Sequence, residues 1–445
     1  FPGEMFEATE EFHHQVTTPL DADGQGNAHV SFACAAHRAV IDVDPELGLV
    51  YIPVGMPLMD EYGGHRPGNN LFGSSIVALD TKTGHRKWHF QMVHHDIWDY
   101  DTPMAPNLLD ATINGQRRKL IATSTKQGFL YVFDRATGEP IWPIVETPVL
   151  QSDVPGERTS PTQPIPSKPA PYAQQGLQSD DLIDYTPAIK DSALALAQRC
   201  RMGPYFIPGV LSDGSTPSRF KCSWYAPGAS GGVNIDGGAA VDPETGMIYV
   251  AALTGLSTIG LQKDPCSEFR YSSPRDNCGL IGAVPPPPGY APPSGRGGGF
   301  EGRGNAAQIG GVSILKPREL GGITAYNLNS GDKAWWTSNG GRASVTSKDP
   351  LFAGLTLPPA GSRGQAQIIT TKTLVIYGTG RQGGIPDAKP MLFAVDKATG
   401  QQVGAVEIPS KTTAVPMTFM HLGRQYLVFA TGAGENTSLV ALRLP

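Results

Sequence analysis

The chain has 445 residues, which is too long for one ordinary hydrophobic core, so we expect several domains or a repeat architecture. The net charge is −5 and the basic residues are scattered, which gives no electrostatic footprint for nucleic acid. The 54 Gly and 40 Pro favour many turns and short strands, and therefore an all-β fold. No apolar run approaches the roughly 20 residues of a spanning helix. Membrane association would need a segment absent from this chain.

One strand-turn-strand phrase occurs at least four times. In each copy an alternating strand runs into Asp or Asn, Gly follows four residues later, and three copies place Trp four residues after that Gly. The side-chain oxygen can bond its own turn, Gly supplies a positive φ, and the aromatic can dock on a neighbouring unit. The copies are IVALDTKTGHRKW (76–88), LYVFDRATGEPIW (130–142), ITAYNLNSGDKAW (323–335) and LFAVDKATGQQVG (392–404).

Two related hairpin phrases are VDPELGLVYIPVG (43–55) and VDPETGMIYVAAL (241–253), and KTLVIYGTG and RQYLVFATG are single strands near the C-terminus. Such units predict one β-propeller domain over residues 1–445, with an atypical piece at 1–42 and about five or six units. Long insertions are expected at 145–230 and 262–306, and the main helix near Pro187 to Arg201.

The five cysteines form no CxxC pair and no CxxCH haem-attachment motif, so sulfur-bound metal and haem are not expected. Cys266 and Cys278 flank a short polar loop and would be able to pair in an oxidising compartment. An odd count leaves at least one thiol unpaired.

The segment VHHDIWDYD (93–101) concentrates two histidines, three acids and two large aromatics in nine residues. Close carboxylates repel each other unless a cation or a proton separates them. A polar loop is the plain alternative to a catalytic or metal site.

Together with the repeated phrases, this segment makes the chain resemble the quinoprotein dehydrogenases, the eight-bladed propellers that use pyrroloquinoline quinone (PQQ). The glucose, quinate and shikimate type is the most similar. The resemblance covers about residues 43–445, and implies a propeller that is incomplete at its N-terminus, with fewer than eight complete units. Its most specific pieces are YGGHRPGNNLF, WHFQMVHHDIWDYD, TKQGFLYVFDR, ERTSPTQPIP and GGAAVDPETG.

The resemblance also implies the roles of three residues. Asp99, the second Asp of the HHDxWD motif, would be the catalytic carboxylate and a ligand of Ca²⁺. Lys126, in a strand leading to the next D-x-x-TG turn, would contact the quinone carbonyls. Asn234, in GGVNIDGG, would point an amide into the PQQ pocket.

For each of the other residues considered in these motifs, a purely structural role is the alternative to a role in a functional site. Adjacent residues on a strand point to opposite faces, so His94 and His95 are not expected to share a zinc ion. On the same argument Trp98 should pack in the core. Asp96 and Asp101 would either support the site or be solvated loop acids. Arg66 would hold an insertion loop, bind an acidic substrate or lie on the surface.

Two functions remain open at this point. The favoured one is a periplasmic dehydrogenase that oxidises a CH–OH group of a sugar or polyol with PQQ and Ca²⁺, and passes electrons to a quinone or a cytochrome. The other is a non-catalytic propeller that binds partners or scaffolds an envelope assembly, because propellers host both roles.

Overall fold

The computed structural model describes residues 41–57, 60–102, 104–228, 231–233, 238–263, 271–272, 307–316, 321–340, 347–358, 361, 366–378, 389–432 and 436–443. Within these ranges strands dominate, which confirms the expected all-β fold. Asn234, Cys266 and Cys278 lie outside the described residues, so the predictions for them stay predictions. The same holds for the atypical piece up to residue 40 and for most of the second insertion.

The described part of the chain begins with two antiparallel sheets, in which strands follow one another in sequence order. Sheet 1 contains β1 (Asp42–Asp44), β2 (Leu49–Val54), β3 (Ser75–Asp80) and β4 (Arg86–Gln91). Sheet 2 contains β5 (Asn107–Ile113), β6 (Gln116–Ser124) and β7 (Leu130–Asp134).

A long insertion follows sheet 2. It contains the hairpin of β8 (Ile144–Pro148) and β9 (Thr162–Pro166), a 3₁₀ turn (Ser179–Asp181), α1 (Pro187–Ala197), β10 (Val210–Leu211) and β11 (Ser223–Tyr225). The helix lies where the sequence predicts it. It begins there because Pro187 occupies its first turn and the Thr186 hydroxyl accepts a hydrogen bond from the Ile189 amide.

Sheet 3 is interrupted by a second excursion of the chain. Its own strands are β12 (Gly238–Asp242), β13 (Met247–Leu253), β18 (Gly321–Asn327) and β19 (Asp332–Ser338). Between them come β14 (Ser257–Lys263), β15 (Tyr271–Ser272), β16 (Gln308–Ile309) and β17 (Val312–Ser313). Strand β14 pairs with β10 and β11, so the second excursion adds a strand to the first insertion.

Two further antiparallel sheets complete the described chain. After a 3₁₀ turn (Pro350–Phe352), sheet 4 contains β20 (Gln367–Thr370), β21 (Leu374–Gly378), β22 (Met391–Asp396) and β23 (Gln402–Glu407). Sheet 5 contains β24 (Met417–His421), β25 (Arg424–Thr431) and β26 (Ser438–Arg443). The described ranges thus hold five sequentially wound sheets, each with strands that the sequence phrases predict.

Consecutive sheets pack face to face because their strands bury side chains on both faces. In β13, Ile248 and Val250 belong to the core shared with sheet 2, whereas Tyr249 and Ala251 belong to the core shared with sheet 4. The first strands of sheets 1 and 2, of sheets 2 and 3, and of sheets 3 and 4 also contact one another. Sheets stacked in sequence around their first strands form a β-propeller.

The turn of each repeated phrase forms as the sequence predicts. Asp80 ends β3, and its Oδ1 accepts hydrogen bonds from the amides of Lys82 and Thr83 at 3.0 and 2.9 Å. Gly84 then takes a φ of +72°, which favours glycine.

Each tryptophan of these phrases docks on the turn of the following unit. Trp88 of β4 donates from Nε1 to the carbonyl of Arg135, just after β7, at 3.1 Å, and Trp335 of β19 donates in the same way to Lys397, just after β22. The Arg135 side chain also pairs with Asp44 at 2.6 Å, and that of Lys397 pairs with Asp242 at 2.6 Å. Both carboxylates belong to the VDPE hairpins.

A disulfide ties the first insertion together. It joins Cys200, just after α1, to Cys222, just before β11, and both half-cystines lie in a buried cluster with Ala197 and Trp224. The pair considered from sequence was Cys266 and Cys278. Nothing in the spacing of Cys200 and Cys222 marks them as partners, because the insertion must fold before the two residues meet.

Candidate active site

The HHDIWDYD segment connects sheet 1 to sheet 2, between the end of β4 at Gln91 and the start of β5 at Asn107. It is a series of bends and not a strand, so the alternating faces assumed for its residues from sequence are wrong. Its own Asp96 explains the difference, because a carboxylate that bonds nearby amides offers the backbone an alternative to a strand ladder. Asp99 adopts a left-handed φ of +60°.

Lys126 lies in the turn between β6 and β7, just before the strand in which the sequence places it. Its Nζ donates to Oδ1 of Asp99 at 2.5 Å and to Oδ2 of Asp101 at 3.1 Å. The side chains of Lys126 and Asp99 are only 4% and 8% exposed, whereas that of Asp101 is 31% exposed. The structure therefore brings the two predicted catalytic residues together, 27 positions apart in sequence, in a buried ion pair.

The charges of this cluster support one another. Burial alone would lower the pKa of Lys126, but the carboxylates of Asp99 and Asp101 outweigh it and raise that pKa. Burial would raise the pKa of Asp101, yet Lys126 and the hydrogen bond from the Met56 amide, at 2.9 Å, bring it below its ordinary value. Lys126 is thus held as an ammonium ion, and Asp101 as a carboxylate.

The segment that precedes Asn234 approaches the Lys126 turn closely. The amide of Val233 donates to the carbonyl of Thr125 at 3.1 Å. Gly232 has a φ of +59°, and a Cβ there would lie 2.1 Å from the Lys126 carbonyl oxygen, so no larger residue fits. The structure thus places the described part of GGVN against the candidate site.

Asp96 and Trp98 are both buried. Asp96 accepts a hydrogen bond from Ser74 at 2.7 Å, and burial raises the pKa of its carboxyl to about 6. It is therefore not a solvated loop acid. Trp98 donates from its indole to the carbonyl of Ile207 at 2.9 Å within a buried cluster, as expected for a packing residue.

The two adjacent histidines face different partners. His94 lies between Gln91 and Glu146, at 2.8 and 3.0 Å, near the surface. His95 is buried, and its Nε2 lies 2.7 Å from Oε1 of Glu157. Glu157 lies in the ERTSPTQPIP segment but was not among the site residues expected from sequence. A glutamate among polar loop residues gives no signal of burial before the insertion is folded.

Arg66 holds a loop. Its guanidinium donates to the side chain of Asn70 and to the backbone carbonyl of Asp96, the latter at 2.6 Å. It thereby joins the YGGHRPGNN segment to the candidate site, which is the first of the roles considered from sequence.

The donor chemistry of the cluster fits a hard cation in part. Asp99 and Asp101 offer carboxylate oxygens of the kind that Ca²⁺ binds, and the pocket between them already accommodates the positive charge of Lys126. Ca²⁺ takes about six to eight oxygen ligands. Within the described ranges no group of three or more His, Cys, Asp or Glu side chains is arranged to hold a metal ion. That part of the chain also holds no helix with the length and apolarity needed to cross a bilayer.

Comparison with known proteins agrees with this architecture. Residues 11–427 match the family model described as PQQ: glucose/ethanol/alcohol dehydrogenase, beta-propeller domain. The chain is 27% identical over 411 residues to the quinate/shikimate dehydrogenase (quinone) of Acinetobacter baylyi, covering 90% of this chain and 47% of that protein. Over 140 residues it is 42% identical to the quinoprotein glucose dehydrogenase of Escherichia coli, covering 31% of this chain and 17% of that protein.

Among solved structures, the quinohemoprotein alcohol dehydrogenase from Comamonas testosteroni is 22% identical and aligns with a TM-score of 0.48, covering 88% of this chain and 44% of that one. The family match extends over most of the sequence, and the chain therefore belongs to the PQQ-dependent glucose, ethanol and alcohol dehydrogenase family. It spans about half the length of the curated relatives that match most of it.

Proposed function

We propose that the protein containing this chain oxidises a CH–OH group of a sugar or polyol with PQQ and Ca²⁺. The observation that carries the proposal is the buried contact of Lys126 with Asp99 at 2.5 Å. Removing two or three charges from water is costly, and a buried ion pair is often no more stable than apolar residues of the same volume. A scaffold would gain nothing from this cluster, whereas an oxidoreductase uses both charges.

The roles of the residues follow from the reaction. Oxidising an alcohol requires removal of the hydroxyl proton as a hydride leaves the carbon, and the Asp99 carboxylate is the base that accepts this proton. PQQ, when bound, would supply the hydride acceptor, and Ca²⁺, held by Asp99, would supply a Lewis acid. Lys126 donates hydrogen bonds to the oxygen atoms where negative charge grows, and Asp101 holds the ammonium in place. Asn234 adds an amide donor for the cofactor.

The class of substrate is supported by the relatives. The proteins similar to this chain are named quinate/shikimate, glycerol and glucose dehydrogenases, and all of these substrates carry several hydroxyl groups. Electrons would leave to a quinone or a cytochrome. We place the protein in the periplasm, where the Cys200–Cys222 disulfide would persist.

The test uses the complete gene product, reconstituted with PQQ and Ca²⁺ and assayed for dye-linked oxidation of glucose, quinate and glycerol. We expect Asp99→Asn to abolish turnover and Lys126→Gln to reduce kcat by about 100- to 1000-fold, since one preorganised donor is lost. The matched control is Asp332→Asn, which neutralises an exposed carboxylate paired with Lys168 and should leave kcat unchanged.

PQQ binding is measured separately, from the absorbance of the bound cofactor. Turnover that survives Asp99→Asn would remove Asp99 as the base. A complete gene product that binds no PQQ would overturn the proposed function itself.

A further inference from the structure

The backbone around Asp99 is held in a conformation that it would not adopt alone. His95 and Asp99 have φ angles of +48° and +60°, in the left-handed region that non-glycine residues disfavour. Such conformations persist only where the surrounding structure enforces them. The direction of the Asp99 carboxylate therefore depends on groups other than Asp99.

One carboxylate fixes the backbone on both sides of Asp99. Oδ1 of Asp96 accepts hydrogen bonds from the amides of Trp98 and Tyr100, at 2.9 and 3.4 Å, and its Oδ2 accepts one from Ser74, which directly precedes β3. Asp96 thus ties the turn that presents Asp99 to the start of β3.

A second carboxylate fixes the residue before Asp96. The two nitrogens of His95 face only acceptors, the carbonyl of Gly68 at 2.6 Å and Oε1 of Glu157 at 2.7 Å. The two contacts together fix the orientation of the ring. Both side chains are 1% exposed. The contact of His95 with Glu157 is therefore more buried than that of Lys126 with Asp99.

Both carboxylate oxygens of Glu157 have hydrogen-bond partners. Its Oε2 accepts the amide of Gly63 at 2.5 Å, and its Oε1 also accepts the amide of Arg158 at 2.9 Å. Burial would raise the pKa of Glu157, but its hydrogen bond to His95 and that from Gly63 outweigh this and lower it. A Cβ at Gly63 would lie 2.4 Å from Nε2 of His95, so the loop approaches this pair as closely as glycine allows.

We propose that Glu157, acting through His95 and Asp96, is a positioning residue that keeps Asp99 in its catalytic orientation. It couples the insertion after sheet 2 to the base without touching the reacting atoms. The expected decrease in kcat rests on the function proposed above, whereas the expected effect on the backbone does not.

The experiment substitutes Glu157→Gln in the complete gene product. A glutamine has one acceptor oxygen, and its NH₂ group replaces the other, so the amide of Gly63 or that of Arg158 loses its partner. We expect the exchange of the Trp98 and Tyr100 amides with deuterium, followed by mass spectrometry, to accelerate about tenfold or more, although Glu157 touches neither. We expect kcat to fall by about 10- to 100-fold, with little change in KM, because the base is displaced.

The matched control is Asp242→Asn. It breaks the buried pair with Lys397 between sheets 3 and 4, so it should lower the melting temperature without changing exchange at Trp98 and Tyr100, or kcat. If Glu157→Gln does not fold, Glu157→Asp is the second variant. It keeps the charge but shortens the reach, and should give the same changes to a smaller degree.

Unchanged exchange at Trp98 and Tyr100 in the folded variant would overturn the positioning role, whatever the activity. Accelerated exchange with an unchanged kcat would overturn it as well. A wild-type protein without PQQ-dependent turnover would refute the proposed function, and the exchange data alone would then decide the positioning role.

Discussion

Asp96 is a residue whose ionisation should weaken the fold at neutral pH. Its pKa in the folded protein is about 6, against 3.8 when unfolded, so the folded state binds more protons between these values. Stability then falls as pH rises through this window, by about 3 kcal/mol in total. We expect the unfolding free energy of Asp96→Asn, relative to wild type, to rise by about this amount from about pH 4 to about pH 7. Urea titrations across the range measure it.

Asp80→Asn is the control for that titration. The amide and hydroxyl of Thr83 lower the pKa of this exposed turn carboxyl to about 2, so the stability it contributes is present above pH 3.8 and is lost as pH falls toward 2. Its difference from wild type should therefore stay constant between about pH 5 and about pH 7. A flat difference for Asp96→Asn as well would contradict the prediction.

At the scale of single residues, the sequence predicted part of the candidate site. The HHDIWDYD and TKQG segments named Asp99 and Lys126, and the structure brings both into contact. Glu157 escaped prediction because its partner His95 is 62 positions away and the pairing depends on the folded insertion. The turn around Asp96 was not predicted, because its aromatic and β-branched neighbours favour a strand. In the structure, hydrogen bonds from nearby backbone amides to the Asp96 carboxylate stabilise the turn instead.

At the scale of elements, the repeated turn glycines are required for two different reasons, the backbone conformation of the turn and the close approach of a tryptophan. All have positive φ, but their surroundings differ: a Cβ at Gly138 would lie 2.6 Å from the indole of Trp88, whereas a Cβ at Gly84 would meet nothing within 4 Å. We expect Gly84→Ala to cost about 1 to 2 kcal/mol of unfolding free energy for its backbone alone. Gly138→Ala should cost about 1 to 3 kcal/mol more for the steric clash.

Chemical denaturation of the two variants side by side gives this difference. Gly400→Ala, whose Cβ would lie 2.6 Å from Trp335, should behave like Gly138→Ala. Equal losses of unfolding free energy in Gly84→Ala and Gly138→Ala would mean that the indole of Trp88 moves aside at little cost. This result would contradict docking of each tryptophan on the next turn.

The elements themselves were the most predictable part of the fold. Strand, Asp or Asn, Gly and Trp recur at fixed spacing, and each choice of residue agrees locally with the turn that forms. The pairing of β14 with β10 and β11 was not predictable, since it joins two insertions that lack the repeated strand-turn-strand phrase. The number of units in the complete propeller stays a prediction.

At the scale of the whole molecule, the disulfide should stabilise the first insertion more than the sheets. Cys200 and Cys222 are separated by 22 positions, and closing a loop of this size contributes about 3 kcal/mol in the chain-entropy model. We expect the Cys200→Ser, Cys222→Ser double variant to lose about this much, with amide exchange accelerated around α1 and unchanged in sheet 4. Peptide mapping without reductant should recover the two cysteines in one cross-linked fragment. Alkylation of both in unreduced protein would contradict the bond.

The docking of each tryptophan on the following unit also has a direction. Trp88 precedes its receptor turn at Gly138, Trp142 precedes Gly331, and Trp335 precedes Gly400. Each of these three units therefore leaves the ribosome with its indole uncovered, and the next of the five sheets to emerge provides the cover. The chain can thus fold vectorially during synthesis, with sheets 1, 2 and 3 each serving as the template on which the next sheet assembles.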